Sequence, residues 1–385
     1  MAGTYSPYSQ YPSRNAYADA RARQAYRAQA AARQRKQRNK RIIGGAVAAV
    51  LVLGVAVFAI LQGLNAEDTT PAEGVIMTLG GDAETYVLVG EEYLEPGCHA
   101  YSPEEGNLDD VRIESNVNTY VPGDYTVTYT ARPASGGRAT AQRTVHVVEN
   151  FDVFDGTAQT LPVLMYHYVY AENDGPEKLD GNYLLNTKFA TQLQYLVDHD
   201  YYYPSYAEVR AFAQGKHTLP ARSVVLTFDD AEQGFLKYGT PLLEQYQVPG
   251  TSFMICSDPS TEQKIRNYSN PFVSWQSHSY GLHRAGSSVG RGGLIHALTT
   301  EEIADDVKQA RAILGSVEAF AYPFGDNNEQ AWTALEQENV LCSFTIENRR
   351  IVPGDNPEAL PRVRISGEYS QESFEYLVTP NGGEQ

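Results

Sequence analysis

Cysteine is scarce in this chain of 385 residues, which contains three: Cys98, Cys256 and Cys342. An exported protein that depends on disulfides usually carries an even set. A Cys256–Cys342 bond is possible, but both residues lie in apolar, strand-like runs, and this favours buried free thiols. The sequence has no Cys-x-x-Cys pair and no Cys/His cluster, which argues against a structural zinc site of the usual kind.

Basic residues are scarce beyond residue 41. Residues 1–41 contain ten Lys and Arg and one acid, Asp19, so the formal net charge of −17 leaves −26 for the rest of the chain. Binding of nucleic acid needs a basic surface, so the acidic remainder predicts no nucleic-acid partner. Residues 1–41 are rich in Tyr, Ala, Arg and Gln with little apolar periodicity, and we predict a disordered basic tail there.

Long hydrophobic runs are also rare, and the chain has one at residues 42–61, twenty uncharged residues preceded by six basic side chains between Arg33 and Arg41. At about 1.5 Å per residue such a run spans roughly 30 Å, the thickness of a bilayer core. Basic residues beside a transmembrane segment usually stay on the cytoplasmic side of the membrane. We therefore predict a transmembrane signal anchor at 42–62, a single-pass protein of the cell membrane with a cytoplasmic N-terminus and an extracellular catalytic domain. The alternative is a cleaved signal peptide, but Leu64-Asn65-Ala66 is a poor cleavage site.

A short polar stalk is predicted at 63–74, and an all-β domain at 75–149. Runs such as Tyr86–Val89 and Tyr125–Thr130 have Val, Thr and Tyr with period two, separated by turn residues. About 75 residues of short strands predict a small sandwich. Residues 150–160 are predicted to be a polar linker.

Two adjacent carboxylates stand where a buried strand stops. Ser223–Leu226 predicts a strand, and Asp229 and Asp230 follow it after Thr227 and Phe228. Such a pair is stable beside a cation or a shared proton. The alternative interpretation is the N-cap of a helix.

Two histidines, His278 and His283, follow another short apolar run. On a helix they would point about 140° apart, whereas a loop at a strand end could bring them together. One Asp and two neutral imidazoles form a ligand set for a divalent metal such as zinc. Two ordinary surface histidines are the alternative.

From residue 161 to 378, predicted strands alternate with predicted helices, which indicates an α/β domain with a parallel sheet. Ser205 and Thr299 are predicted to cap two of the helices. The pattern alone leaves a barrel and a doubly wound sheet open. Residues 379–385 are predicted to be a tail.

Four motifs resemble the polysaccharide deacetylase family, also called the NodB-homology domain or carbohydrate esterase family 4. They are Leu161–His167, Thr227–Asp230, His278–His283 in a wide-spaced form, and Ala321–Gly325. The resemblance implies a distorted (β/α) barrel over 161–378. The segments Val89–Gly97 and Pro122–Tyr129 resemble Ig-like modules of bacterial surface proteins, which usually act as spacers.

The resemblance also implies a role for each residue of the site. Asp230, His278 and His283 would hold a divalent metal, zinc in the first place, with cobalt and nickel as alternatives. Asp229 would be the general base and the N–H of Phe324 would stabilise the oxyanion. Tyr322 and Pro323 would line the substrate pocket.

This sequence departs from the family pattern at three places. Ala231 replaces a glycine after the Asp pair, which a negative φ would tolerate. Ala321 stands where an arginine often orients the base. No histidine follows His296, although the family takes its general acid from that region, and we predict that His167 takes this role.

The predicted function is removal of N-acetyl groups from an N-acetylglucosamine-containing glycan, either wall peptidoglycan or an exopolysaccharide. The motifs do not distinguish this activity from the removal of O-acetyl esters from xylan or another sugar. A catalytically silent, glycan-binding or wall-organising surface protein is the alternative of another class.

Overall fold

The computed structural model describes residues 70–380 and Gly382. The predicted tail at 1–41, the predicted anchor at 42–62 and most of the predicted stalk therefore lie outside the described residues. Within the described part, none of the helices combines the length and the apolar character needed to cross a bilayer.

Residues 76–148 form an all-β module, hereafter the β-module. Its strands are β1 (Ile76–Leu79), β2 (Glu84–Leu88), β3 (Cys98–Ser102), β4 (Gly106–Leu108), β5 (Val111–Ser115), β6 (Gly123–Ala131) and β7 (Ala139–Val148). One sheet has the order β2-β7-β6-β5 and the other has the order β1-β3-β4. Alternate residues such as Val127, Tyr129, Val145 and Val147 are buried between them, because the side chains of a strand alternate between its faces.

A mixed α/β domain follows. Its strands are β8 (Val163–Tyr166), β9 (Tyr168–Tyr170), β10 (Tyr183–Leu185), β11 (Val225–Phe228), β12 (Gly250–Met254), β13 (Val273–Ser277), β14 (Ala319–Ala321), β15 (Cys342–Asn348) and β16 (Leu360–Arg364). Seven of them form a closed parallel barrel in the order β11-β12-β13-β14-β15-β16-β8, while β9 and β10 pair separately. Every residue of β8, β11 and β12 is buried, which explains their nearly continuous apolar sequence.

Helices cover the outside of the barrel. They are α1 (Asn186–Asp198), α2 (Tyr206–Ala213), α3 (Thr240–Tyr246), α4 (Thr261–Tyr268), α5 (Thr300–Leu314), α6 (Glu329–Gln337) and α7 (Gln371–Val378). Both predicted caps are confirmed as complete capping boxes, Ser205 with Glu208 and Thr299 with Glu302. A π-helical turn, Phe235–Gly239, precedes α3.

The β-module packs on the end of the barrel where the parallel strands begin. The Thr78 hydroxyl donates to the Asn270 carbonyl at 3.3 Å, just before β13. The Asn107 amide donates at 3.0 Å to the carbonyl of Ile313, in the last turn of the helix that precedes β14. The Asp82 N–H donates to the Tyr203 carbonyl at 2.9 Å. The β-module thus covers the end of the barrel where the strands begin. The prediction that this module is a spacer did not include such a contact.

The segments on either side of the β-module are also attached. Ala72 N–H donates to the Arg138 carbonyl at 2.9 Å, so the last residues of the predicted stalk pair with the β-module. In the predicted linker, Phe151 and Phe154 are buried against the barrel. Apolar side chains in a mostly polar segment were the signal for this packing.

Candidate active site

The two carboxylates, Asp229 and Asp230, lie at the carboxyl end of β11, the end opposite the β-module. Parallel barrels carry their chemistry at this end because the loops after the strands converge there. Asp229 is buried, and both of its oxygens accept hydrogen bonds of 2.7 Å from the guanidinium of Arg362. Burial alone would raise the pKa of Asp229, but Arg362 outweighs it and the pKa lies below the ordinary value.

Arg362 lies on β16 and is fully buried. Its Nε also donates to the Thr345 carbonyl at 3.0 Å, and Nη1 donates to the Thr227 hydroxyl at 3.2 Å. These bonds fix the orientation of the guanidinium and hence that of Asp229. Sequence reasoning missed this residue and noted only that Ala321 lacks the expected arginine. An arginine between the apolar residues of the strand Leu360–Arg364 was the available signal.

Asp230 faces the two histidines. The Nε2 atoms of His278 and His283 each lie 3.5 Å from Asp230 Oδ1, and the donor atoms of the three residues lie within 4.8 Å of one another. His278 Nδ1 lies 2.7 Å from the Ala321 carbonyl. Since a carbonyl only accepts, Nδ1 carries the hydrogen and the Nε2 lone pair faces Asp230. The donors fit a divalent cation such as zinc.

A turn brings the two histidines together although five positions separate them. Ser279 has a φ of 76°, so the chain reverses directly after His278. Asp306 on α5 then accepts 2.7 Å hydrogen bonds from the N–H groups of Tyr280 and Gly281. The two imidazole rings end 4.8 Å apart, centroid to centroid.

A further tyrosine supports Asp230. Tyr168 on β9 donates its hydroxyl hydrogen to Asp230 Oδ2 at 3.1 Å, while Oδ1 faces the histidines. Such partners orient metal ligands and adjust affinity. Sequence reasoning missed Tyr168, because its contact spans 62 positions of the chain.

The backbone at the Asp pair has an unusual conformation. Asp230 has a φ of 71° and Ala231 a φ of 47°, both in the left-handed region that disfavours residues with a Cβ atom. The condition for tolerating Ala231, a negative φ, is therefore not met. Residues held in this region are typical of functional sites, where the surrounding structure compensates the strain.

His167 directly follows β8 and lines a cavity beside the site, together with Phe324. The Phe324 ring lies 4.7 Å from the ring of His283, so the cavity adjoins the predicted metal ligands. Phe324 has a φ of 61°. The turn around it is closed by its neighbours, with Gly325 N–H donating to the Tyr322 carbonyl at 2.8 Å. The roles of His167 and of the Phe324 N–H stay predictions.

The predicted pocket residues Tyr322 and Pro323 require a correction. Both are buried, and the Tyr322 hydroxyl donates to the Glu358 carbonyl at 2.8 Å. Tyr322 therefore packs inside the domain and does not line the cavity beside the site. The family resemblance had implied that Tyr322 is a pocket wall, whereas its burial places it in the core.

The fold and the geometry of the site define a class of protein, and the comparisons agree with it. Residues 216–341 match the polysaccharide deacetylase family, and residues 77–147 match the Ig-like domain of bacterial surface proteins. The chain therefore contains a domain that matches polysaccharide deacetylases, with an Ig-like domain before it.

Individual relatives are distant. The chain is 23% identical over 222 residues to a poly-β-1,6-N-acetyl-D-glucosamine N-deacetylase of Staphylococcus epidermidis, covering 53% of this chain and 74% of that protein. The enzyme of the same name from Staphylococcus aureus is 24% identical over 207 residues, covering 50% and 69%. A Streptococcus pyogenes deacetylase solved in complex with acetate aligns with a TM-score of 0.50 and 22% identity, covering 58% of this chain and all of that one. At this identity the structural match shows the fold alone.

Proposed function

We propose that this protein removes N-acetyl groups from an N-acetylglucosamine-containing glycan of the cell wall or of an exopolysaccharide, and that it releases acetate. The observation that carries the proposal is the arrangement of Asp229, locked by Arg362, beside the triad of Asp230, His278 and His283. The names of the staphylococcal relatives support a polymer of N-acetylglucosamine as substrate.

The triad would hold a divalent metal. Zinc is the first candidate, and cobalt and nickel are the alternatives. Such an ion supplies a Lewis acid that polarises the acetyl carbonyl. Two imidazoles and one carboxylate leave room for further ligands, as catalytic metal sites require. The Tyr168 hydroxyl keeps Asp230 oriented toward the two histidines.

The remaining chemistry belongs to side chains and backbone. Asp229 takes a proton from the water that attacks the acetyl carbon. The Phe324 N–H donates to the oxygen on which negative charge develops. The C–N bond then breaks, His167 gives a proton to the leaving nitrogen, and the products are acetate and a free amine on the sugar.

The test uses the full chain because the β-module is packed on the barrel. Acetate release is measured from N-acetylglucosamine oligomers, peptidoglycan and acetylated xylan, with added zinc or cobalt. Asp229→Asn is expected to lower turnover by about 10²- to 10⁴-fold, the usual contribution of a general base. His167→Ala is expected to have an effect of the same order, with His199→Ala, on the outside of the barrel, as the matched control.

Each outcome separates one part of the proposal from the others. Acetate release that survives His167→Ala would remove His167 as the acid but leave the deacetylase function. Release from xylan alone would replace the N-acetyl substrate by an O-acetyl ester. Absence of acetate from every substrate, with one equivalent of metal bound, would favour the silent glycan-binding protein.

The membrane location is part of the same proposal. The apolar run at 42–61 and the basic residues before it support an uncleaved anchor with the enzyme outside. Membrane fractionation of cells that express the full chain, followed by protease treatment of intact cells, tests it. Recovery of the intact chain in the soluble fraction would contradict the anchor.

A further inference from the structure

A second chemical feature adjoins the triad. The cavity beside the site, of about 530 Å³, is bounded by His167 and Phe324 on one side. Two asparagines and two arginines complete its polar lining: Asn182, Asn348, Arg291 and Arg364. Phe324 is 37% exposed and contributes an apolar wall.

The two arginines of this cavity have no carboxylate partner within 4.0 Å in the described part of the chain. Arg364 instead donates from Nη2 to the amide oxygen of Asn182 at 2.8 Å, and its backbone N–H donates to Asn348 Oδ1 at 2.9 Å. Other arginines of the same domain, such as Arg349 and Arg311, are paired with carboxylates at 2.7 to 2.8 Å. Both arginines are exposed, so their positive charge is accessible to a ligand that enters the cavity.

The backbone of the second arginine is fixed in place. Arg291 belongs to the loop after the histidine pair, and its backbone N–H donates to the buried carboxylate of Asp326 at 2.8 and 3.0 Å. Gly293 N–H donates to the same carboxylate at 2.8 Å. Both carboxylate oxygens of Asp326 therefore accept hydrogen bonds from the backbone of the loop, and the Arg291 side chain stays available to the cavity.

We propose that this cavity binds an anionic group, a carboxylate or a phosphate, that the glycan carries next to the N-acetylated sugar. Guanidinium groups bind these anions through charge-assisted hydrogen bonds. A neutral polymer of N-acetylglucosamine offers hydroxyl and carbonyl oxygens to these arginines but no opposite charge, and a hydrogen bond to a charged group is stronger than one to a neutral group. The inference rests on the proposed function and refines its substrate, from any N-acetylated glycan to an acidic one.

The experiment compares three probes on the full chain with zinc. They are a neutral β-1,6-linked N-acetylglucosamine oligomer, the same oligomer with a terminal phosphate, and an oligosaccharide that alternates N-acetylglucosamine with glucuronic acid. We expect kcat/KM to be about tenfold higher on at least one anionic probe than on the neutral one, since one charge-assisted hydrogen bond corresponds to about tenfold in affinity. The preferred anionic probe identifies the source of the charge.

Variants connect the preference to the two arginines. Arg291→Gln and Arg364→Gln are each expected to lower kcat/KM on the preferred anionic probe by about tenfold, through KM, and to change the neutral probe by less than about twofold. Arg266→Gln, on the exposed side of α4, is the matched control and is expected to change neither. Equal rates on all three probes, or a preference that survives both substitutions, would overturn the inference and leave the deacetylase function intact.

A binding measurement keeps the inference testable without turnover. Calorimetry with the same probes uses protein whose metal has been removed by chelation. If no probe releases acetate, the proposed function fails, and weaker binding of the anionic probes to the arginine variants would still support the anion site. Equal binding of neutral and anionic probes in that measurement would overturn it.

Discussion

Asp229 and Arg362 show how one buried pair sets the chemistry of the site. The carboxylate is buried, which disfavours its charged form, and the two 2.7 Å hydrogen bonds from Arg362 keep it ionised. The arginine often found before the third motif is absent at Ala321, and β16 supplies the guanidinium instead. A closed parallel barrel allows this because all of its strands end at the same rim.

Arg362→Lys tests this pairing. Lysine keeps the charge but cannot make two parallel hydrogen bonds, so we expect a loss of about 1–3 kcal/mol in the free energy of unfolding and a fall in turnover of at least about tenfold. Chemical denaturation and acetate release measure the two effects, and Arg266→Lys is the surface control. Full activity in the lysine variant would contradict the orienting role.

Tyr168→Phe tests the support of Asp230. Loss of the hydroxyl removes the 3.1 Å hydrogen bond to Oδ2 and should weaken zinc binding by about 10- to 100-fold, the usual effect of a partner of this kind. Titration with zinc in competition with a chelator measures it. Tyr170→Phe, on the same strand, is the control, and equal affinities in both variants would remove Tyr168 from the site.

At the level of elements, the loop that carries His283 depends on α5. Asp306 is buried and accepts two backbone hydrogen bonds of 2.7 Å from that loop. Burial raises the pKa of Asp306, and the two N–H groups oppose this only in part. A helix on the outside of the barrel thus fixes a loop at its rim.

Asp306→Ala should therefore affect both stability and metal binding. Two buried N–H groups lose their acceptor, which costs about 1–3 kcal/mol each, and zinc affinity should fall because His283 is no longer held. Thermal unfolding and zinc titration measure these effects. Asp305→Ala, at the exposed neighbouring position, should change neither, and unchanged zinc affinity in Asp306→Ala would show that the turn is fixed by other contacts.

Elements were easier to predict where their signals are local. The cap at Ser205 and the capping box at Thr299 were predicted correctly, because a cap and its partner lie three residues apart. Helices α4 and α7 were not predicted; each has only eight residues, about two turns, which is too short for a clear helical period. Their helical form depends on packing against the barrel.

At the level of the whole molecule, the β-module and the barrel share an apolar interface. The ring of Tyr86, on β2, packs edge-on against Phe154 at 4.8 Å and against Tyr202 at 6.0 Å. Removal of residues 1–149 would expose this surface. We expect the shortened chain to melt about 10 °C lower than the full chain, as a loss of several kcal/mol implies, or to precipitate. Equal melting temperatures would restore the interpretation of the β-module as a spacer.

Two carboxyl groups near this interface make stability depend on pH. Burial raises the pKa of Asp82 and that of Glu318 to about 7, while the same groups ionise near their ordinary values in the unfolded chain. The folded state therefore binds more protons between about pH 4.5 and 7, and stability falls as pH rises through this range.

Denaturation at pH 5 and pH 8 tests this dependence. The variant Asp82→Asn/Glu318→Gln should lose much of the difference, because its two groups no longer titrate. Glu262→Gln, on the exposed side of α4, is the control. A pH dependence that is unchanged in the double variant would assign it to other groups.

The sequence by itself determined the order of the domains and the strand ends that carry Asp229, Asp230 and His278. It also placed His167 at the end of a strand. These features could be predicted because strands and their polar ends are local patterns. Only the tertiary structure decided which distant residues meet there. Arg362 reaches Asp229 across 133 positions, and Tyr322 turns into the core. Likewise the β-module closes the barrel. These outcomes depend on barrel closure and packing, which bring together side chains that no local spacing connects.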